Sequence, residues 1–246
     1  MRRIELRYCT PVFKDGLSGA AAVNQPATVP VATDDSLTID NVVLNTVAPA
    51  QVPVGARFTI DGETDPTAVH VVVTRTPADA GPTTAVTFAP ALGAGTYAKT
   101  AVLTFQAQEL EVSIGDGDLK YSENNQYKYD LDRGQLDTVR DGDEVPMDVN
   151  MNFTWAYTKS GTGEPISPEE AIKGIGAAAE WVSTGAPCEP YAVDLEIRNV
   201  PKCAAQYKET YLFPMFRAEK RDHDFKNANV AVNGKCNATE PVITRG

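Results

Sequence analysis

The sequence predicts a mainly β (α+β) protein: an antiparallel β-sandwich or barrel with one flanking helix, plus a small inserted all-β domain. Three observations predict it. Long runs alternate strictly between apolar and polar residues from Gln106 onward. Five short β-type runs punctuated by Gly/Pro turns fill residues 36–105. One segment alone carries helix-capping signals. With 246 residues, 42% hydrophobic and 22% charged, the chain can bury a core without help from disulfides or metals.

Residues 1–35 read as the N-terminal strand and linker of the main domain. Leu6, Tyr8 and Val12 suggest one strand, and Gln25–Pro30 an extended connection, because each proline biases its predecessor away from helix. Residues 36–105 read as the inserted barrel or sandwich. Its runs are Leu37–Leu44, Arg57–Ile60, Val69–Thr74, Ala85–Phe88 and Ala101–Phe105, divided by turns such as Asp61-Gly62-Glu63 and Gly93-Ala94-Gly95. Residues 106–246 read as the main sandwich. Leu110, Val112 and Ile114 share one face, as do Tyr127, Tyr129 and Leu131, then Val149 to Tyr157, then Tyr191 to Ile197, with a last strand around Phe225–Val232. A period of two predicts one buried and one wet face for each. The helix is expected over 168–184. Ser167-Pro168-Glu169-Glu170 offers an N-cap, a first-turn proline and a capping-box glutamate, and Gly185 is a C-cap candidate.

Charge and targeting signals narrow the function. Twenty-two Lys plus Arg stand against 33 Asp plus Glu, net −11, which argues against gripping a nucleic acid or an anionic membrane surface. Met1–Arg7 has early arginines but no apolar run behind them, and no window reaches 18 apolar residues. Synthesis and folding in a cytoplasm are therefore expected, with no membrane partner.

No coherent catalytic site is visible, so no enzyme, metal or cofactor is expected. Gly161-Thr162-Gly163 lacks the Lys-Ser/Thr of a phosphate loop, and His70 and His223 match no triad spacing. Cys9, Cys188, Cys203 and Cys236 form no C-x-x-C pair. They read as buried thiols of a reducing compartment or as disulfide candidates formed after release from the cell. The anomaly is acidic: twelve carboxylates against four cations between Glu109 and Asp148, net −8. No EF-hand register fits there, and any acidic loop supplies a glycosidase-like carboxylate pair. A non-catalytic negative surface is the better reading.

The stretch Tyr127–Met147, leading into the strand to Tyr157, resembles the tube proteins of tailed bacteriophages. Ile172–Val182 and the ending Gly234–Pro241 strengthen the likeness, which covers about 106–245 and leaves 36–105 as an optional insertion. The resemblance implies a non-enzymatic virion protein, assembled in the host bacterial cytoplasm and located in the tail. Its partner is itself: six copies form a ring, and rings stack around a channel through which DNA passes without specific binding. Sheath, tape-measure and tail-terminator proteins are further implied partners. On that reading Glu109, Glu111, Ser113, Asp148, Asn150, Asn152 and Thr154 are assigned to the channel lining. The long polar turn within 130–148, with Asp137, Arg140, Asp141, Asp143 and Glu144, is assigned to the ring-to-ring contact. Two other readings are a capsid decoration or head–tail connector protein and a carbohydrate- or cell-binding module. The few aromatic residues of 36–105 argue against sugar stacking.

Overall fold

The computed structural model describes residues 9–17, 19–22, 29–40, 42–43, 49–50, 54–76, 83–112, 119–133, 135–154, 158–159, 165–186, 188–199 and 208–245. The strands of the first half are β1 (Cys9–Lys14), β2 (Gly19–Ala22), β3 (Ser36–Asp40), β4 (Val42–Val43), β5 (Pro49–Ala50), β6 (Arg57–Ile60), β7 (His70–Thr76), β8 (Thr83–Ala89) and β9 (Val102–Gln106). Then come β10 (Glu109–Glu111), β11 (Leu119–Ser122), β12 (Tyr127–Asp132), β13 (Gln135–Asp141), β14 (Met147–Thr154), β15 (Thr158–Lys159) and β16 (Pro165–Ile166). Helix α1 (Pro168–Lys173) and a 3-10 turn (Gly176–Ala178) precede β17 (Val193–Asn199), β18 (Glu209–Asp224), β19 (Asn229–Cys236) and β20 (Val242–Arg245). The protein is mainly β, its sheets are antiparallel, and among the described residues none closes into a barrel.

The chain divides into two compact units. One comprises Met1–Phe13, Glu111–Ala156 and Ala192–Gly246, the other Lys14–Leu110 and Tyr157–Tyr191. The second unit is wider than the insertion expected at 36–105, and it takes the helical segment that was expected in the 106–246 domain. Hydrogen bonds explain this. Asp15 N donates to Gln108 O (3.1 Å) and Gly16 N to Val182 O (2.7 Å), drawing three distant segments together.

In the second unit six strands pair in the order β2-β9-β6-β7-β8-β3. Alternation decides what they bury. Leu37 and Ile39, Phe58 and Ile60, Val86 and Phe88, Leu103 and Phe105 turn inward, each pair separated by a threonine on the other face. Each such burial contributes about 1.5–3 kcal/mol. The capping box forms as expected: Glu170 N donates to Ser167 Oγ (3.2 Å), and Ser167 N donates to Glu170 Oε2 (2.8 Å). The helix itself ends at Lys173, far short of residue 184. Gly174 takes a left-handed conformation (φ 62°), and a Cβ there would stand 2.7 Å from the Tyr191 ring. Ile175, expected on the buried helix face, is exposed.

The first unit is one eight-stranded sheet folded over itself. The pairing path is β10-β1-β17-β18-β19-β14-β11, with β20 added on β18. The sixteen-residue β18 turns the corner: Glu209–Phe216 pairs mostly with β17, and Arg217–Asp224 pairs with β19. The bend lies at Pro214, which has no N–H to offer, and Met215, at φ 49°. Asp194 sits at the register shift in β17, and its Oδ1 accepts the Met215 amide at 2.8 Å. Folding over brings Phe13 of β1 edge-on to Phe153 of β14 (6.4 Å) above a core including Val149, Leu195, Phe213 and Val230.

Two features of this corner depart from the sequence expectation. The alternation rule finds no strand at Glu209–Asp224, because proline and two register shifts break the period. The strand expected around Phe225–Val232 instead begins at Asn229, after a turn. Asp224 builds that turn by accepting from Lys226 N (3.0 Å), Asn227 N (3.3 Å) and Asn227 Nδ2 (2.5 Å). Gly234 of β19 lies under the corner, where a Cβ would overlap Arg217 O and stand 2.6 Å from the Phe216 ring. Gly234→Ala should therefore lower stability by about 1–3 kcal/mol through overpacking, read as a shift in the urea midpoint at unchanged slope.

Candidate assembly surface

The acidic segment resolves into a hairpin, not the long polar turn expected within 130–148. Among the described residues β12 and β13 pair only with each other, with a register shift at Asp130/Leu131 that leaves Asp137 as the extra residue. Tyr127, Tyr129 and Leu131 share a face with Val139, opposite Tyr129, and Leu136, opposite Leu131. That apolar face, expected to be buried, is bare: its five side chains are 52–70% exposed. The other face is charged and internally paired, with Arg140 to Asp130 at 2.8 Å and Lys128 to Asp143 at 3.1 Å. These exposed pairs add a few tenths of a kcal/mol each.

At the hairpin base, Gly142 N donates to Gln126 O (2.7 Å), and a Cβ on Gly142 would stand 2.8 Å from Gln126. Beside it lies an open cleft of about 240 Å³, lined among others by Asn124, Asn125, Asp141, Asp143 and Glu144. Of the residues assigned to a ring-to-ring contact, Asp137, Arg140 and Asp141 thus lie on β13, and Asp143 and Glu144 follow it.

The residues assigned to a channel lining are not brought together. Glu109 and Glu111 lie on β10 at one end of the pairing path, Glu109 bound to Lys14 (3.3 Å). Ser113 lies outside the described residues. Asp148, Asn150, Asn152 and Thr154 share one face of β14, which is separated from β10 by four strands of the pairing path. Asp148 accepts from Asn124 Nδ2 (3.1 Å), while Asn152 Oδ1 is buried with no hydrogen-bond partner among the described residues.

The register sets cations beside that polar face. Asp148 is level with Lys235 and Ser122, and Lys235 in turn with Arg217. Asn150 is level with Lys120 and Asn233, and Asn233 with Lys220. Two neighbouring rows across β18, β19, β14 and β11 therefore hold Arg217, Lys235, Lys220 and Lys120 beside Asp148, and Lys220 Nζ pairs with Asp222 Oδ2 at 2.6 Å. The acids Asp222 and Asp224 stand on the next two rows. None of these cations was singled out from the sequence, since only cross-strand register gathers them.

Cys9, Cys188 and Cys236 are thiols, and Cys203 lies outside the described residues. Cys236 is buried, and burial together with the Asp194 charge pushes its pKa up to about 12. It is therefore a poor thiolate nucleophile for disulfide formation. Cys188 is exposed. Among the described residues, no three His, Cys, Asp or Glu converge as metal ligands, and no helix is long and apolar enough to cross a membrane.

No protein-family model, curated protein or solved structure matches the chain.

Proposed function

We propose that the chain is a structural subunit that assembles with copies of itself, and that it acts as a tail tube protein, in stacked hexameric rings within a virion tail. One observation carries the reading: the bare apolar face of the β12–β13 hairpin. An isolated two-stranded hairpin is marginal in water, and five large apolar side chains on one exposed face need a partner. The hairpin lies within the segment whose sequence resembles the tube proteins, and it covers part of the expected ring-to-ring contact.

Electron microscopy of the concentrated protein tests the reading, with six-fold rings or tubes expected. Tyr129→Asp combined with Leu131→Asp should leave the melting temperature nearly unchanged, since both side chains are already exposed, while abolishing assembly. A wild-type protein that stays monomeric at every concentration, or a variant that assembles as well as wild type, would sink the proposal.

A further inference from the structure

The β12–β13 hairpin carries unneutralised charge of opposite sign at its two ends. Among the described residues its ion pairs are Arg140 with Asp130 and Lys128 with Asp143. Arg133 at the tip, and Asp141 and Glu144 at the base, are exposed and take no part in them. Arg133 also stands in the left-handed region (φ 50°), which favours glycine or asparagine. An arginine held in that conformation points to a use for its side chain. Lys128, Asp130 and Asp132 alternate onto the face opposite the bare apolar one, so the apolar face carries little charge except Asp141, level with Tyr127.

We propose that two copies of the chain pair through this hairpin, apolar face on apolar face and tip over base, so that Arg133 of each copy lies against Asp141 and Glu144 of the other. The inference rests on the self-assembly reading and describes the subunit before it joins a ring. Area supports a second copy as the occupant. The five apolar side chains present on the order of 600 Å² per copy, so stacking two hairpins buries on the order of 1,000–1,200 Å², near the lower bound for a specific interface. The product is a four-stranded sandwich, and four strands with a covered apolar face escape the marginal stability of a lone hairpin.

Charge selects the orientation. Stacking tip on tip would crowd Asp141 and Glu144 of both copies together, and like charges oppose that arrangement. Stacking tip on base opposes unlike charges at both ends. With the two-fold axis at Tyr129 and Val139, Arg133 lies four residues to one side, and Asn125, in the cleft at the base, lies four to the other. Each arm is about 13 Å at the rise of a strand, so Arg133 arrives over the cleft that Asp141 and Glu144 line. The contact is isologous and closes at two copies. Pairing therefore covers the apolar face of free subunits, and ring formation has to open the pair.

Sedimentation velocity on the full chain tests this, with a concentration-dependent dimer expected. Arg133→Glu should weaken pairing by about tenfold or more while leaving the circular dichroism spectrum and melt unchanged. Asp141→Lys with Glu144→Lys should weaken it similarly. An equimolar mixture of the two variants should restore dimers, since both ends of a mixed pair then oppose unlike charges. A dimer indifferent to Arg133→Glu, or variants that do not recover on mixing, overturns the inference alone. Wild-type protein that forms rings with no dimer at lower concentration does the same. Wild-type protein that forms neither dimers nor rings overturns the self-assembly reading along with it.

Discussion

Glu63→Ala should lower the unfolding free energy of the second unit by about 3–5 kcal/mol, the usual consequence of removing one partner from a buried ion pair. The His70 and Glu63 side chains are 1% and 4% exposed, with Nε2 and Oε2 2.9 Å apart. His70 Nδ1 lies 2.8 Å from Pro90 O, a carbonyl that can only accept, so this nitrogen carries a proton and the second contact shares one with the carboxylate. Glu63 Oε1 also accepts from Gly93 N at 2.6 Å. The ring packs at 5.4 Å from Phe58 and 5.5 Å from Phe88, where water cannot replace a lost partner. Around it the loops interlock, Thr64 N donating to Ala94 O and Thr96 N to Gly62 O. Urea denaturation checks the value. A joint Glu63→Leu, His70→Phe variant should recover most of the loss, because two apolar side chains leave no charge stranded. A cost under about 1 kcal/mol for Glu63→Ala would mean the pair does not hold these loops.

The second large effect is a dependence on pH through Asp15. Its carboxylate is 3% exposed and accepts amides from three places: Gln108 N (2.7 Å), Leu17 N (3.2 Å) and Val182 N (3.4 Å). Burial raises its pKa from 3.8 to about 7, the amide hydrogen bonds opposing the rise. The folded state therefore holds a proton that the unfolded state has already released. Stability from this group is full below about pH 3.8 and falls as pH rises to about 7. Integrated over that window, the loss is about 4 kcal/mol. Asp15→Asn should flatten the slope of stability against pH between 4 and 7 and leave the variant more stable than wild type at pH 8. Parallel pH profiles for the two proteins would refute the assignment. At the same junction Trp181 Nε1 is buried with no hydrogen-bond partner among the described residues, and the Asp15 charge, after burial, helps push the Tyr191 phenol up.

Much of the fold is legible in the sequence because its signals are local. The run Arg57–Ile60 coincides with β6 residue for residue, and the strands at Ser36–Asp40, His70–Thr76, Thr83–Ala89 and Val102–Gln106 lie where alternation and Gly/Pro turns put them. The capping box at Ser167 is equally local, since cap and responder are three residues apart. The helix end is not legible locally because Gly174 and Gly185 both suit the role, and at Gly174 the Tyr191 ring, seventeen positions away, leaves no room for a Cβ. The candidate surface was legible only in outline. Alternation at Tyr127, Tyr129 and Leu131 identifies a two-faced strand but is silent on what, if anything, covers the apolar face.

Local patterns along the chain suffice for the β class, the strand faces, the capped helix start at Ser167 and the concentration of acid between Glu109 and Asp148. Each depends on neighbours within a few residues, where backbone geometry alone sets which side chains share a side. Tertiary structure decided the rest. It bent β18 at Pro214 and Met215, joined Asp15 to Gln108 and Val182, left the hairpin face open, and lined up Arg217, Lys235, Lys220 and Lys120. These outcomes depend on pairing register and on contacts between distant residues, such as Asp15 and Val182, 167 positions apart. A one-residue slip in register would turn every side chain of a strand to the opposite face, and the register is set by long-range packing that no local pattern encodes.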